Sequence, residues 1–158
     1  TCHERYGNVR AVIQSYLRRS EGDVRSLSAD RIPIRLCKGA YWAPDEVALE
    51  DKKDVDQNYS LLMRYLLEEG EFPAIATHDE ALIDEACRFI QEKGIARNSF
   101  EFQMLYGVRR ELQQRLVQEG YPLRLYVPFG EAWYPYFMRR LAERPANVLF
   151  LVKNLARA

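Results

Sequence analysis

Phe72-Pro73-Ala74-Ile75-Ala76-Thr77-His78-Asp79 reads as a short strand, apolar through Ala76 and polar at its carboxyl end. Directly after it, Glu80 to Gly94 carries Leu82, Ile83, Ala86, Phe89 and Ile90 at the spacing of one helix face, and Gly94 stands where a C-terminal cap belongs. A strand leading at once into an amphipathic helix is a βα unit, and the same pattern recurs on both sides of it.

Upstream, Val9 to Leu17 reads as a buried strand, and Glu21 to Leu27 as a short helix capped near Ser20. Ile32 to Trp42 reads as the next strand, and Glu46 to Glu69 carries Val55, Tyr59, Leu62, Tyr65 and Leu66 at helical spacing. Downstream, Ser99 to Gly107 leads to a helix over Arg109 to Glu119, and Tyr121 to Gly130 leads to a helix beginning near Tyr134. The tail from Arg144 is apolar at Val148, Leu149, Leu151 and Val152, which predicts a packed segment. Five strand and helix pairs in alternation predict an α/β fold with a parallel sheet. Two architectures fit the alternation: an open doubly wound sheet, and a (β/α)8 barrel of which these would be five units. A full barrel takes about 250 residues, so a chain of 158 is short of one. With no Pro/Gly/Ser tract dividing it, residues 1–158 read as a single unit, and the start, Thr1 to Arg5, reads as the end of an element already under way.

Composition narrows the partners. Lys+Arg and Asp+Glu both number 23, so nothing in the overall balance points to nucleic acid. Cys2, Cys37 and Cys87 form no C-x-x-C pair, which implies reduced thiols and a cytoplasmic setting. No run approaches the roughly 20 apolar residues of a membrane span.

In parallel α/β folds, ligands sit at the carboxyl ends of the strands. Those ends carry Gln14 and Tyr16; Arg35, Lys38 and Gly39; Thr77, His78 and Asp79; Glu101, Gln103, Tyr106 and Gly107; Tyr126 and Gly130. Buried charges at Arg35 and Lys38 require acceptor partners, either a ligand or an internal ion pair such as Arg35 with Glu101. His78 beside Asp79 is too small a set for a metal site, and hydrogen bonding to a ligand is the more economical use. Neither G-x-G-x-x-G nor G-x-x-x-x-G-K-[ST] occurs. Lys38 is also a candidate Schiff-base lysine. On the last helix, Tyr136, Arg139, Arg140 and Glu143 share one stripe, and two guanidinium groups there could clamp a carboxylate as readily as form a solvated face.

The motifs Arg35-Leu36-Cys37-Lys38-Gly39-Ala40-Tyr41-Trp42, Ala76-Thr77-His78-Asp79, Glu101 to Gly107, Tyr126-Val127-Pro128 and Tyr136-Phe137-Met138-Arg139-Arg140, in that order, resemble those of proline dehydrogenase. The resemblance implies a distorted (β/α)8 barrel, of which this chain would hold the last five units. It also implies FAD as cofactor, L-proline as substrate, Δ1-pyrroline-5-carboxylate as product and a membrane quinone as electron acceptor, hence peripheral membrane contact. Arg35 is similar to the arginine that sits against the flavin N5 region and tunes it. Gln14 resembles a residue contacting the flavin ring. Lys38, Gly39, Ala40, Thr77 and His78 resemble segments holding the rest of the cofactor, Tyr41 and Trp42 the aromatics lining its site, and Gln103 is grouped with these cofactor residues. On the substrate side, Arg139 and Arg140 resemble the carboxylate clamp, Tyr126, Tyr136 and Leu105 the walls of the ring pocket, and Glu143 a partner orienting the arginines. Cys37 departs from the valine expected there. The family's substrate-contacting lysine and its nearby aspartate have no counterpart in this sequence. Besides this reading stand a Schiff-base or phosphate-binding barrel enzyme using Lys38, and a non-catalytic barrel remnant.

Overall fold

The protein is described by a computed structural model over residues 2–39, 43–127 and 129–131. The described residues up to Tyr126 belong to one compact unit, to which the account of the fold is confined. After a one-turn helix α1 (Cys2–Tyr6), the chain alternates β1 (Ala11–Gln14), α2 (Ser20–Ala29), β2 (Ile34–Cys37), α3 (Lys52–Glu69), β3 (Ala74–Ala76), α4 (Glu80–Lys93), β4 (Glu101–Leu105), α5 (Arg110–Gln118) and β5 (Leu123–Tyr126). All five strands are parallel and lie side by side in chain order, β1-β2-β3-β4-β5. A doubly wound sheet reverses its strand order at a switch point; within these five strands no reversal occurs.

The pleat sorts the side chains. Ile34 and Leu36 of β2, Ile75 of β3 and Phe102 and Met104 of β4 are buried together with Tyr59, Leu66, Ile83, Ile90 and Leu116 of the helices, forming the hydrophobic core. The amphipathic spacing of α4 accounts for its place there, and Asp79 and Gly94 set its bounds. The Asp79 carboxylate accepts from Ala81 N at 3.2 Å, and Gly94 ends the helix in the left-handed conformation with φ 64°.

The opposite sheet face is polar. Register places Val12 and Gln14, Arg35 and Cys37, Ala74 and Ala76, Glu101 and Gln103, and Arg124 and Tyr126 on it, strand by strand. Arg10, just ahead of β1, reaches Glu101 of β4 at 2.9 Å. Strands three apart on a flat sheet stand roughly 14 Å from each other, more than side chains rising from the sheet can span. The sheet therefore curls toward its polar face, and that face is concave.

Three sequence expectations shift. The first strand is Ala11–Gln14 rather than Val9 to Leu17, because Leu17 turns away to form an antiparallel bridge with Ala48. That same bridge holds the segment after Glu46 outside the helix, and α3 starts only after Asp51, whose carboxylate accepts from Lys53 N at 2.7 Å. Ser20 is not a cap: the N-cap position is Arg19, and Ser20 Oγ instead accepts from Asn58 Nδ2 at 3.0 Å.

Candidate functional site

Arg35, the second residue of β2 and in register with the first residues of β3 and β4, rises on the concave face from within the strand rather than from its carboxyl end, where the sequence reading set it. Its Nε donates to Gln103 Oε1 at 2.7 Å, and its guanidinium carbon lies 5.0 Å from the centre of the Tyr126 ring. Among the described residues it forms no ion pair, so the pairing of Arg35 with Glu101 anticipated from the sequence is replaced by contact through Gln103. Glu101 is occupied elsewhere: Arg10 and Arg124 both donate to it, at 2.9 Å each, and Gln103 Nε2 donates at 2.6 Å. Burial alone would raise the Glu101 carboxyl; the hydrogen bonds from Arg124 and Gln103 and the charges of Arg124 and Arg10 outweigh it and hold the group below the usual carboxylate range.

Gln14 shares the same face at the end of β1, in register with Cys37, whose thiol lies 3.5 Å from Ile13 O. Leu105 and Tyr126 pair at the ends of β4 and β5, Leu105 half-buried and Tyr126 exposed. These positions bring Gln14, Arg35, Gln103, Leu105 and Tyr126 to one side of the sheet.

His78 stands in the loop after β3 and ties it to β4. Leu105 N donates to His78 Nε2 at 2.9 Å, which leaves Nδ1 as the protonated ring nitrogen. Burial, with the Arg109 and Arg35 charges, lowers the imidazole to about 4. His78 is therefore a neutral donor at physiological pH rather than a cation. Since its unfolded counterpart titrates near 6.5, protonation favours the unfolded chain. Stability should be indifferent to this group above about pH 6.5 and should fall between there and about pH 4, by up to about 3 kcal/mol. The depressed carboxylates lose their contribution only as pH falls through values below about 4. Urea titrations across pH, with His78→Gln removing the upper part of the slope, check this assignment; an unchanged slope in that variant counts against it. Beside His78, Thr77 is buried and its Oγ1 accepts from Asp79 N at 3.1 Å.

Lys38 falls just after β2, off the concave face. It is only 8% exposed, and its ammonium is held between Asp56, at the start of α3, and Asp79, at 2.6 Å, at the cap of α4. Lys52 adds a contact to Asp56. Burial pushes both carboxyls up, but hydrogen bonds and charge from Lys38 and Lys52 prevail and both lie below their ordinary value. A Schiff-base lysine needs its nitrogen free to attack a carbonyl, and here that nitrogen is held by Asp56 and Asp79. Gly39 follows with φ 97°, and a Cβ built there would meet the Tyr16 ring at 2.1 Å, so only glycine fits. Ala40, Tyr41, Trp42, Tyr136, Arg139, Arg140 and Glu143 lie outside the described residues.

Three participants escaped the sequence reading. Arg124 shares the face of Tyr126 by period two, a signal that was present. Arg10 and Asp56 carried none, because their partners Glu101 and Lys38 are 91 and 18 residues away in the chain.

The fold and site define a parallel βα protein with polar groups gathered on one concave face of its sheet. The family model described as Proline dehydrogenase matches residues 1–153. The chain is 48% identical over 154 residues to Proline dehydrogenase 2 of Bacillus subtilis (strain 168), covering 98% of this chain and 51% of that protein. It is 51% identical over 148 residues to Proline dehydrogenase of Deinococcus radiodurans, covering 94% of this chain and 48% of that one. Among solved structures, the proline utilization A protein (PutA) of Bdellovibrio bacteriovorus inactivated by N-propargylglycine superposes with a TM-score of 0.77 at 33% identity, over 87% of this chain and 17% of that one. This chain belongs to the proline dehydrogenase family. It spans about half the length of the two dehydrogenases it matches.

Proposed function

We propose that the protein carrying this chain oxidises L-proline to Δ1-pyrroline-5-carboxylate in proline catabolism, with FAD as cofactor and a quinone as electron acceptor. The observation that carries the reading, beyond family membership, is Arg35: a guanidinium on a concave sheet face, without an ion pair among the described residues, beside a neutral imidazole donor. This donor set fits a flavin, whose ring and phosphates present acceptors. A bound flavin would supply the acceptor for the hydride leaving C5 of proline.

The chain's own groups then do the positioning. Arg35 and Gln14 face the ring of the cofactor. Lys38, Gly39, Ala40, Tyr41 and Trp42, with Thr77 and His78, serve its remainder, His78 through a donor that stays neutral. Arg139 and Arg140 fix the substrate carboxylate, Glu143 orients them, and Tyr126, Tyr136 and Leu105 enclose the ring of the substrate. The unreversed, curled sheet supports an arc of a (β/α)8 barrel, whose last five units residues 1–158 would provide as one unit. Quinone reduction would place the protein at a membrane surface from the cytoplasmic side; among the described residues no helix is long and apolar enough to cross a membrane.

An absorption spectrum tests the reading. The purified protein carrying this chain should show flavin bands that bleach when L-proline is added, and N-propargylglycine, the inactivator of the B. bacteriovorus protein, should prevent repeated turnover. Flavin bands indifferent to L-proline, or no flavin at all, would overturn it.

A further inference from the structure

Gln103 is 3% exposed, and both ends of its amide are used inside the protein: Oε1 accepts from Arg35 Nε at 2.7 Å, and Nε2 donates to Glu101 Oε1 at 2.6 Å. The two ends of an amide are chemically distinct, and an ionised carboxylate only accepts. Glu101, kept ionised by Arg10 and Arg124, therefore dictates that Nε2 points to it and that Oε1 points to Arg35.

The floor beneath this bridge is specific as well. Arg35, Ala74 and Glu101 are aligned in register across three strands, and Ala76 is aligned with Gln103. Arg35 and Gln103 belong to β2 and β4, so they meet above β3, and they can do so because β3 presents only methyl groups on that side. A larger side chain at 74 or 76 would occupy the space through which the bond passes.

We propose that Gln103, oriented by Glu101, is a positioning residue that holds the Arg35 guanidinium in one orientation on the concave face of β2, and that it acts through Arg35 rather than by touching the cofactor. The relay is a chain of bonds: Arg10 and Arg124 fix Glu101, Glu101 fixes the amide, and the amide fixes Nε, leaving the terminal nitrogens of Arg35 aimed by a support that does not rotate. The catalytic meaning of this relay rests on the proline dehydrogenase reading; the bond itself does not.

The test uses the protein carrying this chain, with isotope-labelled arginine and the Arg35 Nε–H signal assigned by its loss in Arg35→Met. In Gln103→Leu, solvent exchange of that proton should rise by about tenfold or more, since it loses its acceptor. Turnover should fall toward the level of Arg35→Met with the proline KM within about threefold of wild type, and the double variant Arg35→Met/Gln103→Leu should be no slower than Arg35→Met alone. Unchanged exchange, or losses that multiply in the double variant, would overturn the proposal. Should Gln103→Leu not fold, Ala76→Val decides in its place: it fills the floor without removing either partner, and faster exchange supports the relay whereas wild-type exchange overturns it. If the protein takes up no flavin or ignores proline, the reading of its function fails, and the exchange measurement still judges the bond.

Discussion

Replacing Arg35 by methionine is expected to lower turnover by about 100-fold or more while the proline KM moves by less than about threefold. The asymmetry follows from where the side chain stands. Arg35 projects from β2 onto the concave face, one donor engaged by Gln103 and its guanidinium carbon 5.0 Å from the centre of the Tyr126 ring, without an ion pair among the described residues. A cation so placed acts on whatever charge develops opposite it, and preorganised donors of this kind carry much of an enzyme's rate. Methionine retains the packing against Tyr126 and strands only Gln103 Oε1, a cost of about 1–3 kcal/mol that the fold can absorb. Flavin content should therefore persist. Stopped-flow reduction by L-proline reads the effect, and an unaltered turnover number would remove Arg35 from the catalytic set.

The converse is expected for the arginine pair of the last predicted helix. Arg139→Met or Arg140→Met should raise the proline KM by about 10- to 100-fold, the equivalent of about 1.5–3 kcal/mol for a hydrogen bond to a charged group, with flavin content unchanged. Helix periodicity predicts both arginines on the stripe of Tyr136 and Glu143, and the chain belongs to the proline dehydrogenase family. Substrate titrations followed by flavin bleaching give the constant directly. Flavin lost at an unchanged KM would assign these residues to the cofactor instead of the carboxylate.

Periodicity explains why so much of the fold could be read before any coordinates. Alternating strands and helices leave two different repeats in the sequence, and α4 shows both its apolar face and its closing Gly94 in one short run, whereas Asp79, read as the end of the strand, is its N-cap. Boundaries were harder, since Tyr16 and Leu17 are as apolar as a strand yet turn off to bridge with Ala48. In the site, the carboxyl-end rule singled out Gln14, Gln103 and Tyr126, but it also set Arg35 at a strand end although that residue is the second of β2. That rule could not reveal pairings. That Lys38 lies between Asp56 and Asp79 depends on how α3 docks, and that Arg10 meets Glu101 depends on how far the sheet curls. Nor could a list of polar residues show that alanines at 74 and 76 matter for what they leave empty.

The polar face has an electrostatic consequence that the composition hides. The sequence as a whole is formally neutral, yet among the described residues of this face Arg10 and Arg124 bracket the carboxylate of Glu101, Arg35 is joined to it only through Gln103, and the imidazole of His78 adds no negative charge. A concave, low-dielectric wall focuses such an excess outward. Anionic molecules should thus be drawn toward this face before any specific contact forms, and their association should slow as added salt shortens the reach of that field.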